Sequence, residues 1–196
     1  MNRAKTPATG TRDKLIEAAI TLMRRSGLSG AGINEIVRHS GAPKGSVYYF
    51  FPEGKQQIVA EGLTQYSQRV VAFIDSALSS KRKPGQKVKA LFDAFADRIE
   101  AGEFRQSCPV GTVCLDLDAD LEGLRFVIAT AFDEYVSAIE AHFPFQDRRR
   151  AKSFAGLLLT AIEGAYIRGR AARTSEPFRE AGAWLADLAD RGASPK

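Results

Sequence analysis

Apolar residues recur at intervals of three and four along almost the whole chain, and nowhere do they alternate with the two-residue period of a half-buried strand. Such spacing gathers side chains on one face of a helix, so an all-α fold is the only class it admits. Leu15, Ala18, Ala19, Leu22 and Met23 mark a first helix, with Thr11 placed to cap it and Gly27 to end it through a positive φ. Ile33, Ile36 and Val37 mark a second, which Gly41-Ala42-Pro43 breaks. Pro43 lacks an N–H and has its φ already set, so it suits the opening of a third helix from Lys44 to about Phe51, closed by Pro52. The tight glycine-containing turn between the last two has the spacing of a helix-turn-helix.

Further along, Val59, Leu63, Tyr66, Val70 and Phe73 define a long fourth helix from about Lys55 to Ser79, stopped by Lys81-Arg82-Lys83-Pro84-Gly85. Val88, Leu91, Phe92, Phe95 and Ile99 define a fifth. Gly102 to Asp118 is irregular, with room for a short sixth, and Leu121, Leu124, Ile128, Phe132, Tyr135 and Ile139 define a seventh. Phe154 to Arg173 and Pro177 to Arg191 supply two more, about nine in all. The expected organisation is a flexible tail at 1–10, a three-helix helix-turn-helix head at 11–55, a helical body at 56–191 and a short tail at 192–196.

The net charge of +5 lies entirely in the head. Residues 1–60 hold nine Lys or Arg against four Asp or Glu, and the remainder carries nineteen of each. A basic head on a neutral body suits an anionic polymer, because each cation placed at a phosphate releases condensed counterions. Within the third helix, Val47 and Phe51 form the inner face, which leaves Lys44, Ser46, Tyr48 and Tyr49 toward the outside. In a major groove such residues reach base edges and phosphate oxygens. Either tyrosine alone could instead pack against the fourth helix.

Other classes find little support. No apolar run approaches the roughly 18 residues of a membrane span, and Met1 to Gly10 is polar, so no membrane partner and a cytoplasmic location are expected. Cys108 and Cys114 are too few for a disulfide framework or a zinc site. His39 and His142 have no partnered nucleophile or acid at a diagnostic spacing. Asp116, Asp118 and Asp120 lack the glycine of a calcium loop and suit a solvated turn. No cofactor, metal or catalytic residue is expected.

The run from Gly41 to Lys55, Gly-Ala-Pro-Lys-Gly-Ser-Val-Tyr-Tyr-Phe-Phe-Pro-Glu-Gly-Lys, resembles the signature of the TetR family of bacterial repressors, and the likeness extends back to Thr11. Its turn, Tyr-Tyr pair and Pro-Glu-Gly-Lys junction look most like the LmrA/YxaF-type subgroup. The resemblance implies DNA contacts from Lys44, Ser46 and Tyr48 and a phosphate contact from Lys55, with Gly45 and Tyr49 in the same reading helix. Ala31-Gly32 stands where the family often has hydroxyl residues, and Phe50 where it commonly has His.

The resemblance also implies a homodimer built from the last two helices, with Phe154, Leu158, Ile162, Tyr166, Trp184, Leu185 and Leu188 at the interface and Gly156, Gly164 and Gly169 permitting close approach. Taken alone, the same stripes serve equally well as a one-subunit core. In similar proteins the segments carrying Phe92, Phe95, Phe104, Phe126, Phe132 and Tyr135 enclose a ligand pocket, and Cys108 could border it; aromatics at helical spacing are also ordinary core. The expected function is a repressor that binds double-stranded palindromic operator DNA and is released by a small apolar or aromatic inducer, the fourth helix acting as lever. The alternative is an architectural, ligand-independent DNA-binding protein.

Overall fold

A computed structural model describes residues 10–79, 83–117, 121–143, 145 and 147–193. Among them it has nine helices and no strand: α1 (Thr11–Gly30), α2 (Ile33–Ser40), α3 (Gly45–Phe50), α4 (Lys55–Leu78), α5 (Pro84–Ala101), α6 (Pro109–Cys114), α7 (Glu122–Glu140), α8 (Arg148–Ala172) and α9 (Glu176–Ala193). The all-α expectation is met. The expected tail at 1–9, the Lys81-Arg82 part of the stop signal, Asp118, Asp120 and the chain from 194 onward lie outside the described residues. No helix among the described residues is long and apolar enough to cross a membrane.

The apolar face of α1 is buried through Leu15, Ile16, Ala19 and Met23. Its N-cap is Gly10, with no side-chain cap, so Thr11 is the first helical residue and not the cap its hydroxyl suggested. Regular helix stops at Ser26 and Gly27, the latter at φ 64°, and one further turn ends at Gly30. The cause of the break is distant in sequence. Asp116 Oδ2 accepts hydrogen bonds from the backbone N–H of Leu28 at 2.7 Å and of Ser29 at 3.1 Å, capping that last turn as an N-cap carboxylate would. A Cβ on residue 27 would collide with the same oxygen.

In the turn after α2, Gly41 is left-handed at φ 66°, and the N–H of Ser46 reaches back to the Pro43 carbonyl at 2.9 Å. Thus Pro43 starts a turn that leads into α3, and the helix itself begins two residues later than Pro43. Phe51, the residue before Pro52, has already left helical geometry, as the proline ring requires.

The body is assembled around α4, whose Gly62, Leu63, Tyr66 and Val70 are buried against α1, α5 and α7. Contact between α5 and α9 is close: the backbone at Gly182 lies so near Phe92 that a Cβ there would come within 2.7 Å of the Phe92 Cβ. Phe178 is fully buried and meets Tyr166 edge to face at 5.1 Å, while Tyr166 meets Phe95 at 6.0 Å. These rings fasten α9 and α8 to α5. Phe178→Ala is expected to cost about 3–5 kcal/mol through lost burial and the cavity left behind, measurable as a lower midpoint in urea unfolding.

Candidate functional site

The outer face of the head is set by what α3 buries. Val47 and Phe51 are fully enclosed, and the Arg12 guanidinium lies 5.1 Å from the centre of the Phe51 ring. With those two rooted, Lys44 and Gly45 are exposed, Ser46 is half-buried, and Tyr48 and Tyr49 retain 57% and 79% of their surface. Neither tyrosine packs away into the fold. Phe50 is half-buried and meets Tyr49 edge to face at 4.9 Å, so it supports that ring from behind. Lys55 is placed differently: its Nζ donates to the Leu28 carbonyl at 2.8 Å and closes the end of α1. Two other head cations are paired, Arg12 with Glu61 and Arg38 with Glu35.

Body and head meet along one seam. The N–H of Ser107 donates to the Arg24 carbonyl at 2.9 Å, and the Thr112 hydroxyl to the Met23 carbonyl at 2.8 Å. From α8, Arg170 reaches the Arg25 carbonyl at 3.0 Å. With Asp116, the segment 107–116 and Arg170 satisfy the backbone groups that the broken end of α1 exposes.

Behind this seam lies a cavity of about 570 Å³, lined by Ser107, Cys108, Gly111, Thr112, Cys114 and Leu115, by Phe132 of α7, and by Glu163, Tyr166, Ile167, Arg170 and Ala171 of α8. Cys108, Glu163 and Tyr166 also line a smaller inner recess with Tyr66, Phe95 and Tyr135. In that recess the Tyr135 hydroxyl has no hydrogen-bond partner among the described residues; the Ser67 hydroxyl donates to Glu134 at 2.6 Å. Glu163 is the group out of keeping with these walls. Burial pushes its carboxyl up to about 7, and a hydrogen bond with the Cys108 thiol offsets only part of that. The Cys108 thiol is itself pushed up, chiefly by burial and then by the charge of Glu163. A Cβ at position 111 would stand 2.5 Å from Glu163 Oε2, so glycine there lets the carboxyl keep its place.

The expected ligand residues divide. Cys108 and Phe132 line the cavity, and Phe95, Tyr135 and Cys108 line the recess. Phe92 does not, because it is buried between α5 and α9. Phe104 packs on the core outside both spaces, and Phe126 is 77% exposed near the start of α7. Sequence reasoning missed Glu163, although a signal was present: it is the only charged residue between Lys152 and Arg168.

The expected interface divides too. Phe154, Leu158, Ile162 and Tyr166 are buried within their own subunit, because this stripe of α8 faces the body; Phe154, for example, packs on Phe143 and Phe145. Leu185 is half-buried. The opposite side of α8 exposes Leu157 and Ile167, the latter 63%, and α9 exposes Leu188 and Trp184, the latter 76%. Gly156 and Gly164 open onto free space on that side, whereas Gly169 is packed against the Thr174 carbonyl and Ile99.

Residues 15–61 match the tetR family of bacterial regulatory proteins, and residues 84–183 match the transcriptional regulator LmrA/YxaF-like C-terminal domain. The HTH-type transcriptional regulator LmrA of Bacillus subtilis (strain 168) is 28% identical over 183 residues, 92% of this chain and 97% of that protein. The same fold occurs in the crystal structure of regulatory protein TetR from Rhodobacter sphaeroides, with a TM-score of 0.80 at 18% identity over 94% of this chain and 99% of the other. It also occurs in the TetR family regulator CifR, a cysteine mutant complexed with 26bp double-strand operator DNA, with a TM-score of 0.75 at 16% identity over 95% of this chain and 98% of the other. The chain therefore belongs to the TetR family and carries an LmrA/YxaF-like C-terminal domain, which makes it a DNA-binding transcriptional regulator.

The half-buried Glu163 carboxyl makes stability depend on pH. The folded state holds the Glu163 proton more tightly than the unfolded chain, so stability falls as pH rises from the usual carboxylate range through about 7. Glu163→Gln removes that dependence. Calorimetry should show its Tm about 2–4 °C above wild type at pH 8 and nearly equal to it at pH 5.5.

Proposed function

We propose that the chain is a cytoplasmic homodimeric repressor that reads a palindromic operator with α3 and leaves it when a small aromatic ligand fills the cavity of the body. One observation carries the ligand-release part: residues 107–116 both wall the cavity and bond the end of α1. A ligand that fits best when this wall is displaced must also shift the head, and it weakens operator binding by its differential affinity for the two arrangements. The lever is then α6, acting on α1 directly, with α4 as the second connection. A body serving only to dimerise would have no need of a cavity this size.

DNA reading rests on Lys44, Gly45, Ser46, Tyr48 and Tyr49. They stand on the side of α3 opposite Val47 and Phe51, where a major groove would receive them. Lys55 then serves the phosphate backbone only if its ammonium leaves the Leu28 carbonyl; otherwise it orients the head. Dimerisation rests on the exposed strip of Leu157, Ile167, Trp184 and Leu188, with Gly156 and Gly164 allowing helices of two copies to approach closely. One short reading helix covers few base pairs, so a two-fold pair of heads about one helical turn apart matches a palindrome.

Tyr48→Ala is expected to weaken binding to the DNA upstream of the protein's own gene about tenfold or more in a mobility-shift titration, with an unchanged dimer mass. Ile167→Asp should halve the mass seen by analytical ultracentrifugation at low micromolar concentration and abolish operator binding with it. An unchanged mass in that variant would place the interface elsewhere.

A further inference from the structure

The cavity holds a carboxyl with no cation bonded to it. Glu163 projects from α8 into walls that are mostly apolar or aromatic, and among the described residues its carboxyl has only the Cys108 thiol as hydrogen-bonding neighbour. Arg170, two turns along the same helix, also lines the cavity, but its guanidinium is turned to the Arg25 carbonyl at 3.0 Å and the Ser107 hydroxyl at 3.4 Å. Gly111 leaves room for the carboxyl, because a Cβ there would push the Glu163 side chain out of this position. An unpaired carboxylate in such surroundings is costly, and a group that neutralises it recovers most of that cost.

We propose that the cavity binds an aromatic organic cation, with a protonated nitrogen against the Glu163 carboxylate and its rings against Phe132 and Tyr166. This rests on the ligand-binding role of the body proposed above and specifies the ligand. A volume of about 570 Å³ suits two or three fused rings with a short side chain. A face of the Phe132 or Tyr166 ring against the ligand adds attraction for a cation that it would not offer an anion. Glu163 selects in the same sense, since it repels a carboxylate ligand and gives a neutral alcohol only a hydrogen bond.

The groups facing Glu163 are Cys108 ahead of α6, Tyr66 of α4, Tyr135 of α7, and Tyr166 and Arg170 of its own helix. Burial pushes the thiol and the three hydroxyls upward, which keeps them neutral between pH 6 and 8. Glu163, at about 7, is the member of this group that titrates there. Cation affinity therefore rises with pH over that window.

The test is isothermal calorimetry on the full chain with three probes of one shape: 2-(1-naphthyl)ethylamine, 2-(1-naphthyl)ethanol and 1-naphthylacetate. At pH 8 the amine should bind about tenfold or more tightly than the alcohol, and the acetate most weakly. Glu163→Gln should reduce the amine to the affinity of the alcohol, while the alcohol, which reports an intact cavity, changes less than about twofold. Glu163→Asp should restore part of the preference. Between pH 8 and pH 6 the amine should weaken by up to about tenfold in wild type and not in Glu163→Gln. Equal affinities for amine and alcohol, an amine affinity indifferent to Glu163→Gln, or no binding of any probe overturns the proposal. Displacement of a labelled duplex from upstream of the protein's own gene separates the two claims. Glu163-dependent amine binding that leaves the duplex bound upholds the cation site and refutes ligand release. Release by alcohol and acetate as effective as release by the amine upholds ligand release and refutes the cation site.

Discussion

The Asp116 carboxylate takes two backbone N–H groups at the point where α1 breaks, and the arrangement of the molecule follows from that capture. A helix interrupted at Gly27 begins its last turn with donors that α1 itself cannot satisfy, and leaving that of the buried Leu28 unpaired would cost about 1–3 kcal/mol. Supplying the acceptor from a residue 88 positions away brings the segment before and through α6 against the head. Ser107 and Thr112 then complete the carbonyl side of the same junction. Because the segment is held there, its other face is available as a cavity wall. Head position and cavity shape are thus two consequences of one set of hydrogen bonds.

Within that wall, stability and binding pull in opposite directions. A leucine or glutamine at position 163 would suit the surrounding apolar side chains better than an acid whose ionisation burial opposes. The acid nevertheless has a matching recess at Gly111 and a thiol neighbour. Such local conflicts between side chain and surroundings are concentrated where a fold serves something besides its own stability.

Periodicity alone made the helices legible, because a helix with one apolar face leaves its period in the sequence whatever it packs against. The order and class of the elements followed, as did the exposed face of α3, since Val47 and Phe51 fix the rotation of so short a helix. The division of α8 was not legible. Apolar residues surround most of its circumference, so Phe154, Leu158, Ile162 and Tyr166 could not be told from Leu157 and Ile167 as inner or outer. Phe126 and Phe92 misled for a related reason: an aromatic at helical spacing carries no mark of whether it meets core, cavity or water. Within residues 102–116 the local pattern had room for the short helix α6 but carried no sign of where the segment docks, because Ser107, Thr112 and Asp116 are held by hydrogen bonds to α1. Glu163 was visible only as an interruption, and an isolated charge in an apolar stretch ordinarily reads as surface.

Trp184 is the only tryptophan in the chain, and it stands 76% exposed on α9. An indole in water emits at longer wavelength than one packed against protein, so a single emission spectrum reports the surroundings of this one position without contributions from elsewhere. It lines neither the cavity nor the inner recess. The protein thus carries an intrinsic optical probe of whatever covers the outer side of α9, spatially separate from events at Glu163.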